Sequence, residues 1–130
     1  MSLNDPLANV LSHIYNCEKI GKKECVVTPI SKIVKSVLNI LKDNNYIKNF
    51  ILEENKKGGF VKIELSGNIN KCGVIKPRFS VTKIEYDKFG KRYLPAKDFG
   101  IIIVSTSKGI MVHKDAISKG IGGKLLAYCY

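Results

Sequence analysis

Residues 101–104, Ile-Ile-Ile-Val, constrain this chain more than any other stretch. They follow Gly100 and show neither helical spacing nor alternation. A short, continuous β-branched run bounded by turn residues reads as a strand buried on both faces. The run is expected to stop at Ser105-Thr106-Ser107-Lys108-Gly109. Three hydroxyls, a cation and a glycine then fall where a rigid strand hands over to a turn. Such hydroxyls can donate to phosphate oxygens or ribose, or reach base edges. A glycine there lets another backbone come close. The bland alternative is a Ser/Thr turn hydrogen-bonded to its own backbone.

A second glycine-bearing turn follows closely. Gly120-Ile121-Gly122-Gly123-Lys124 separates a short helical segment near Lys114 to Lys119 from a terminal strand, Leu125 to Tyr130. Gly120 suits a helix C-cap. Three glycines in four residues imply positive φ at Gly122 and a bare surface that a phosphate or ribose can approach. GIGGK lacks the Walker spacing and leads into a strand rather than a helix, which excludes a nucleotide-binding loop. Tyr128, beyond the turn, either stacks on a base or packs against the protein.

Upstream, Asp5-Pro6 supplies an N-cap and a first helical residue. Leu7, Val10, Leu11, Ile14 and Tyr15 continue at helical spacing, and Gly21 ends the segment. Lys22 to Val27 reads as a short strand. Thr28-Pro29 starts a second helix with the apolar stripe Ile30, Ile33, Val34, Val37, Leu38 and Leu41. Asn44 or Asn45 can end it in a left-handed conformation. Tyr46–Glu53 and Phe60–Leu65 form a hairpin across Lys56-Lys57-Gly58-Gly59. Ser66-Gly67-Asn68 breaks the pattern and divides an amino-terminal lobe, 1–66, from a carboxy-terminal lobe, 67–130. Val74 to Tyr86 reads as mostly extended, and Asp87 to Leu94 is ambiguous, at most a helical turn. The fold class is α+β: an α-β-α-β-β lobe and a mainly β lobe with a short helix.

The net charge is +11, and it is unevenly spread: residues 1–65 carry 10 Lys/Arg and 7 Asp/Glu, residues 66–130 carry 12 and 4. The excess follows the glycine-bearing turns and favours nucleic acid or another polyanion. Lysine-rich surfaces also serve solubility, but solubility does not need the asymmetry. No apolar stretch approaches the ~20 residues that span a bilayer, and the start resembles no signal peptide, so a cytoplasmic protein is expected. Cys17, Cys25, Cys72 and Cys129 form no CxxC pair, and His13 and His113 are far apart in sequence. A zinc site and a disulfide are therefore both disfavoured, and the cysteines read as reduced, metal-free apolar filler. His13 lies on the polar flank of the first helix, and His113 is placed to cap the short one. No nucleophile–base pair or paired carboxylates present themselves, so no catalysis and no cofactor are expected.

The ordered set of STSKG, Met111, GIGGK and Tyr128 resembles the carboxy-terminal half of the universal small-subunit ribosomal protein eight family. Asn70 to Phe79 and the aromatic final residue Tyr130 resemble its archaeal and eukaryotic branch, and Asp5-Pro6-Leu7-Ala8 extends the likeness to nearly the whole chain. Val112-His113 departs from the Thr-Asp pair usual in bacterial members. The resemblance implies a primary rRNA-binding protein, contacting the central domain of small-subunit (16S) rRNA and neighbouring ribosomal proteins and helping the platform assemble. It implies a monomer when free, without membrane attachment. It further implies RNA contacts from Ser105, Thr106, Ser107, Lys108, Gly109, Gly120, Gly122, Gly123, Lys124 and Tyr128. Ser31 and Lys32, where a helix N-terminus favours phosphate, join them, with Lys76 and Arg78 as non-specific phosphate contacts. An enzyme acting on a phosphate-bearing substrate lacks an acid, base or nucleophile here. A DNA-binding architectural protein leaves STSKG unexplained.

Overall fold

The structure, a computed structural model, describes residues 6–27, 31–53, 59–76, 78–82, 84–96 and 99–130. The chain divides into two compact units, Met1–Lys71 and Cys72–Tyr130. Among the described residues no helix is long and apolar enough to cross a membrane.

The first unit runs α1 (Pro6–Lys19), β1 (Glu24–Val27), α2 (Lys32–Asp43), β2 (Ile47–Glu53) and β3 (Phe60–Leu65). Its antiparallel sheet has the order β1-β3-β2. The expected stripes are buried at Leu7, Val10, Leu11 and Ile14 on α1 and at Val34, Val37, Leu38 and Leu41 on α2, while Tyr15 and Ile33 are half-buried and Ile30 lies outside the described residues. Removing each of the buried side chains from water stabilises the fold by about 1.5–3 kcal/mol. Asp5, the expected cap of α1, and Thr28-Pro29 lie outside the described residues. Helix α2 begins at Lys32, and Ser31 is its N-cap, its Oγ accepting the Val34 N–H at 3.2 Å. Asn45 takes the left-handed conformation, φ 65°. The Ser66-Gly67-Asn68 break belongs to this unit. Glu18 accepts the N–H groups of Gly67 and Ile69 (3.2 and 3.0 Å), and Ser66 Oγ donates to the Tyr46 carbonyl (3.0 Å).

The second unit runs β4 (Cys72–Val74), β5 (Ser80–Val81), α3 (Tyr86–Tyr93), β6 (Ile101–Thr106), β7 (Gly109–Val112), α4 (His113–Lys119) and β8 (Gly123–Cys129). The sheet order is β4-β8-β6-β7, with β5 also on β8. Ile101 to Val104 are all buried, as a strand covered on both faces requires. Two expectations are corrected here. The strand does not stop at Val104: Ser105 and Thr106 pair with Ile110 and Gly109, because backbone pairing continues where burial ends. Residues 86–93 form a full helix, so the described residues of this unit hold two helices rather than one. Polar Asp87, Lys88, Lys91 and Arg92 hid a period that buries Tyr86 and Phe89. The turn before α3 is built by Thr82 and Glu85, whose carboxylate accepts the Thr82 N–H and hydroxyl, both at 3.0 Å. Those two hydrogen bonds hold its carboxyl below the usual range, backbone first.

His113 is not a helix cap. It is the first residue of α4 and is 8% exposed. Strand β7 reaches only Val112, opposite Ile103, and the Ile102 N–H beyond it donates to His113 Nδ1 at 3.1 Å. A buried N–H that loses its acceptor costs about 1–3 kcal/mol. His113→Leu is therefore expected to lower unfolding free energy by about that amount. His113→Asn, which keeps an acceptor near the Nδ1 position, is expected to lose less. Urea unfolding of the full-length protein measures both.

Strand β8 enters the sheet through a steric opening. A Cβ at Gly122 would overlap the Val81 carbonyl oxygen, and one at Gly123 would overlap that of Ser105. Gly122→Ala is expected to cost about 1–3 kcal/mol, the usual penalty of overpacking. It is read as a lower denaturation midpoint with an unchanged m-value.

Candidate nucleic-acid interface

The β6–β7 hairpin presents the hydroxyl-rich turn. Ser105 and Thr106 end β6 half-buried, and Ser107, Lys108 and Gly109 are exposed. Gly109 carries the turn's positive φ, 116°. Thr106 Oγ1 donates to the Gly109 carbonyl at 2.7 Å and accepts the Lys108 N–H at 3.1 Å. Its proton is thus spent inside the turn, the local Ser/Thr bonding that competes with any outside partner. Thr106 shapes the hairpin, and Ser107 and Lys108 stand at its tip.

The glycine-bearing turn is built differently at each glycine. Gly120 is the left-handed C-cap of α4, φ 68°, and the N–H groups of Gly120 and Ile121 bond back to Ile117 and Ala116, each at 3.0 Å. Gly122 does not take a positive φ; close approach to Val81 is what excludes a side chain there. Gly123 serves the same end against Ser105. Tyr86, fully buried on α3, donates its hydroxyl to the Ile121 carbonyl at 3.1 Å and so pins the turn to the unit's core. Burial pushes that phenol above its ordinary range.

Pairing of β6 with β8 brings the two turns together, since Ser105 lies directly opposite Lys124. Lys124 in turn lies opposite Ser80 on β5. Directly opposed residues share a face. Ser80, Lys124 and Ser105 therefore form a hydroxyl–ammonium–hydroxyl row across three strands, about 10 Å wide. Lys124 and Ser80 are exposed. Ser80 was not singled out in the sequence because it sits in an irregular, proline-bearing stretch. Only the pairing of β5 with β8 reveals its place.

Other expected residues stand apart from this row. Tyr128 lies four residues along β8 from Lys124, about 13 Å. It is half-buried and stacks on Tyr93 and Tyr130, with centroids 5.6 and 6.3 Å away. That geometry favours packing over base stacking. Lys76 and Arg78 are exposed between β4 and β5. Ser31 and Lys32 are in the first unit, and the Ser31 hydroxyl is engaged as an acceptor in capping. Lys56 and Lys57, between β2 and β3 in the sequence, lie outside the described residues. All four cysteines are buried. The fold nonetheless gathers His13, Cys17 and Cys25, a grouping that residue spacing did not expose.

The sequence model of the ribosomal protein S8 family matches residues 5–130. The match spans both units, with the hydroxyl and glycine turns inside it. Members of this family are structural proteins of the ribosome, not enzymes. The chain belongs to the ribosomal protein S8 family, as an rRNA-binding protein of the small ribosomal subunit.

Proposed function

We propose that this protein is a primary binder of the central domain of small-subunit rRNA and helps assemble the platform. In this reading it works in the cytoplasm, is monomeric before it joins the subunit, and belongs to the family's archaeal-type branch, on Asn70 to Phe79 and Tyr130. The observation that carries the proposal is the Ser80–Lys124–Ser105 row, formed where the two turns meet. A regular A-form major groove is too deep and narrow for side chains. A flat row of short hydroxyls around one cation, mounted on paired strands, suits the shallow minor groove with its 2′-hydroxyls, or an irregular internal loop. Ser105, Ser107 and Lys108 contact sugar and phosphate, and Lys124 neutralises a phosphate. Thr106 and Gly109 hold the hairpin's shape. Gly120, Gly122 and Gly123 leave backbone that RNA can approach. Lys76, Arg78 and, at the N-terminus of α2, Ser31 and Lys32 add phosphate contacts that carry affinity without sequence information. Tyr128 acts from behind, through packing.

The reading is tested by filter binding of three ligands of equal length: a central-domain hairpin with an irregular internal loop, a regular RNA duplex and a DNA duplex. The hairpin is expected to bind tightest; equal affinity for all three overturns shape-specific recognition.

Replacing Ser105 and Ser107 together by alanine is expected to weaken hairpin binding by on the order of 1.5–3 kcal/mol per charge-assisted bond lost. Duplex binding and circular dichroism should stay unchanged. Lys124→Ala should instead weaken all RNA ligands and make the log–log salt slope shallower by about 0.7–0.9. A variant at Lys124 with the parental slope would remove that residue from the interface.

A further inference from the structure

Three nitrogen and sulfur donors meet in the first unit, outside the residues to which the proposed reading gives RNA contacts. His13 and Cys17 stand one helical turn apart on α1, which sets both side chains on one face. Cys25 comes from β1, whose buried positions are Cys25 and Val27. The turn after α1 folds β1 back to it: Gly21, at φ 79°, and Lys22 bond to the Glu18 and Cys17 carbonyls at 3.1 and 2.9 Å. His13 Nε2 and Cys17 Sγ are 3.8 Å apart, and the donor atoms of all three residues lie within 4.8 Å of one another.

We propose that His13, Cys17 and Cys25 form a three-ligand site for a thiophilic divalent cation, zinc foremost. A tetrahedral zinc with bonds near 2.3 Å to sulfur and 2.0 Å to nitrogen has ligand–ligand edges of about 3.5–3.8 Å. The His13–Cys17 pair already spans such an edge, and closing the rest takes movements of about 1 Å at most. Two thiolates and an imidazole select zinc over magnesium or calcium, which take oxygen ligands. Binding releases one proton from each thiol to solvent. The two thiolates then cancel the charge of the dication, so the site carries no net charge into an apolar surrounding, where a lone charge is costly. Cys17 and Cys25 are 4% and 5% exposed, whereas His13 is exposed. The cation therefore enters from the His13 side, and water completes its shell there. Cys72 and Cys129, opposite each other on β4 and β8, are equally buried thiols. Among the described residues they join no such group, which makes them an internal control.

The test uses the full chain, purified under reducing conditions without chelator. Zinc is quantified by elemental analysis. Stripped protein is titrated with Co2+, read by the thiolate-to-cobalt absorption band, and then with Zn2+ in competition. Thermal melts are recorded against free Zn2+. One equivalent of metal, a cobalt–thiolate band and a melting temperature that rises with free Zn2+ are expected. Cys25→Ser should lose the band, and Cys72→Ser should keep it. His13→Gln, an exposed substitution that spares the fold, should weaken zinc binding at least roughly tenfold. It keeps the proposal falsifiable if Cys25→Ser does not fold. Absence of the band and of any zinc-dependent melting overturns the site. So does parental zinc affinity in His13→Gln, or thiol titration showing Cys17 and Cys25 oxidised to each other in metal-free protein.

Discussion

The ladder between β6 and β8 is the constraint on which the second unit depends. It puts Ile102 opposite Tyr128, Val104 opposite Leu125 and Ser105 opposite Lys124. A slip of one residue would turn every β8 side chain over. In one direction the slip would put Lys124 where Leu125, fully buried, now sits. Burying an unpaired ammonium costs more than the ~1.5–3 kcal/mol that a buried leucine contributes. The register is thus held by the apolar residues, and the polar row is carried along with it. Gly122 and Gly123 let β8 come this close, since a side chain at either would strike a carbonyl of the neighbouring strand.

In the proposed reading the same arrangement makes the turns a rigid recognition surface. Thr106 uses its hydroxyl as donor and acceptor within the hairpin. Tyr86 ties the Ile121 carbonyl to the core. Neither group meets the RNA in the proposed reading, yet both lower the entropy lost on binding by holding the exposed groups in place beforehand. A surface that recognises an RNA shape gains from this more than a flexible basic tail would, because a tail neutralises phosphates without reporting their arrangement.

Much of this was legible in the sequence, for identifiable reasons. The helix stripes, the β2–β3 hairpin and the Ile101 strand have strong apolar patterns, and burial follows pattern directly. Both turns were visible as clusters of Ser, Thr and Gly, and the family's motifs carried the function. What stayed hidden was tertiary. Helix α3 was obscured because two buried aromatics among charged residues make a faint period. His113 looked like a cap because its acceptor role depends on where β7 ends. Gly122 looked like a left-handed residue, whereas its reason is the neighbouring strand, which no local window contains. Ser80 needed the β5–β8 pairing to acquire a place at all.

The cysteines show the same limit from the opposite side. Short metal-binding spacings such as CxxC describe knuckles in which two ligands share one turn, and none occurs here. On a helix the equivalent spacing is four residues, and His13 and Cys17 have it. That pair alone is unremarkable until Gly21 reverses the chain and β1 delivers Cys25. Charge then decides which donors can hold a cation in this protein. With a net charge of +11, the chain opposes any added dication at long range. Oxygen donors exposed to water do little to offset that. Two thiols that ionise on binding supply the compensating charge at the point of contact, and only when the cation is present. In the proposed site the negative charge therefore arises where the metal neutralises it, inside an apolar surrounding that would otherwise oppose it.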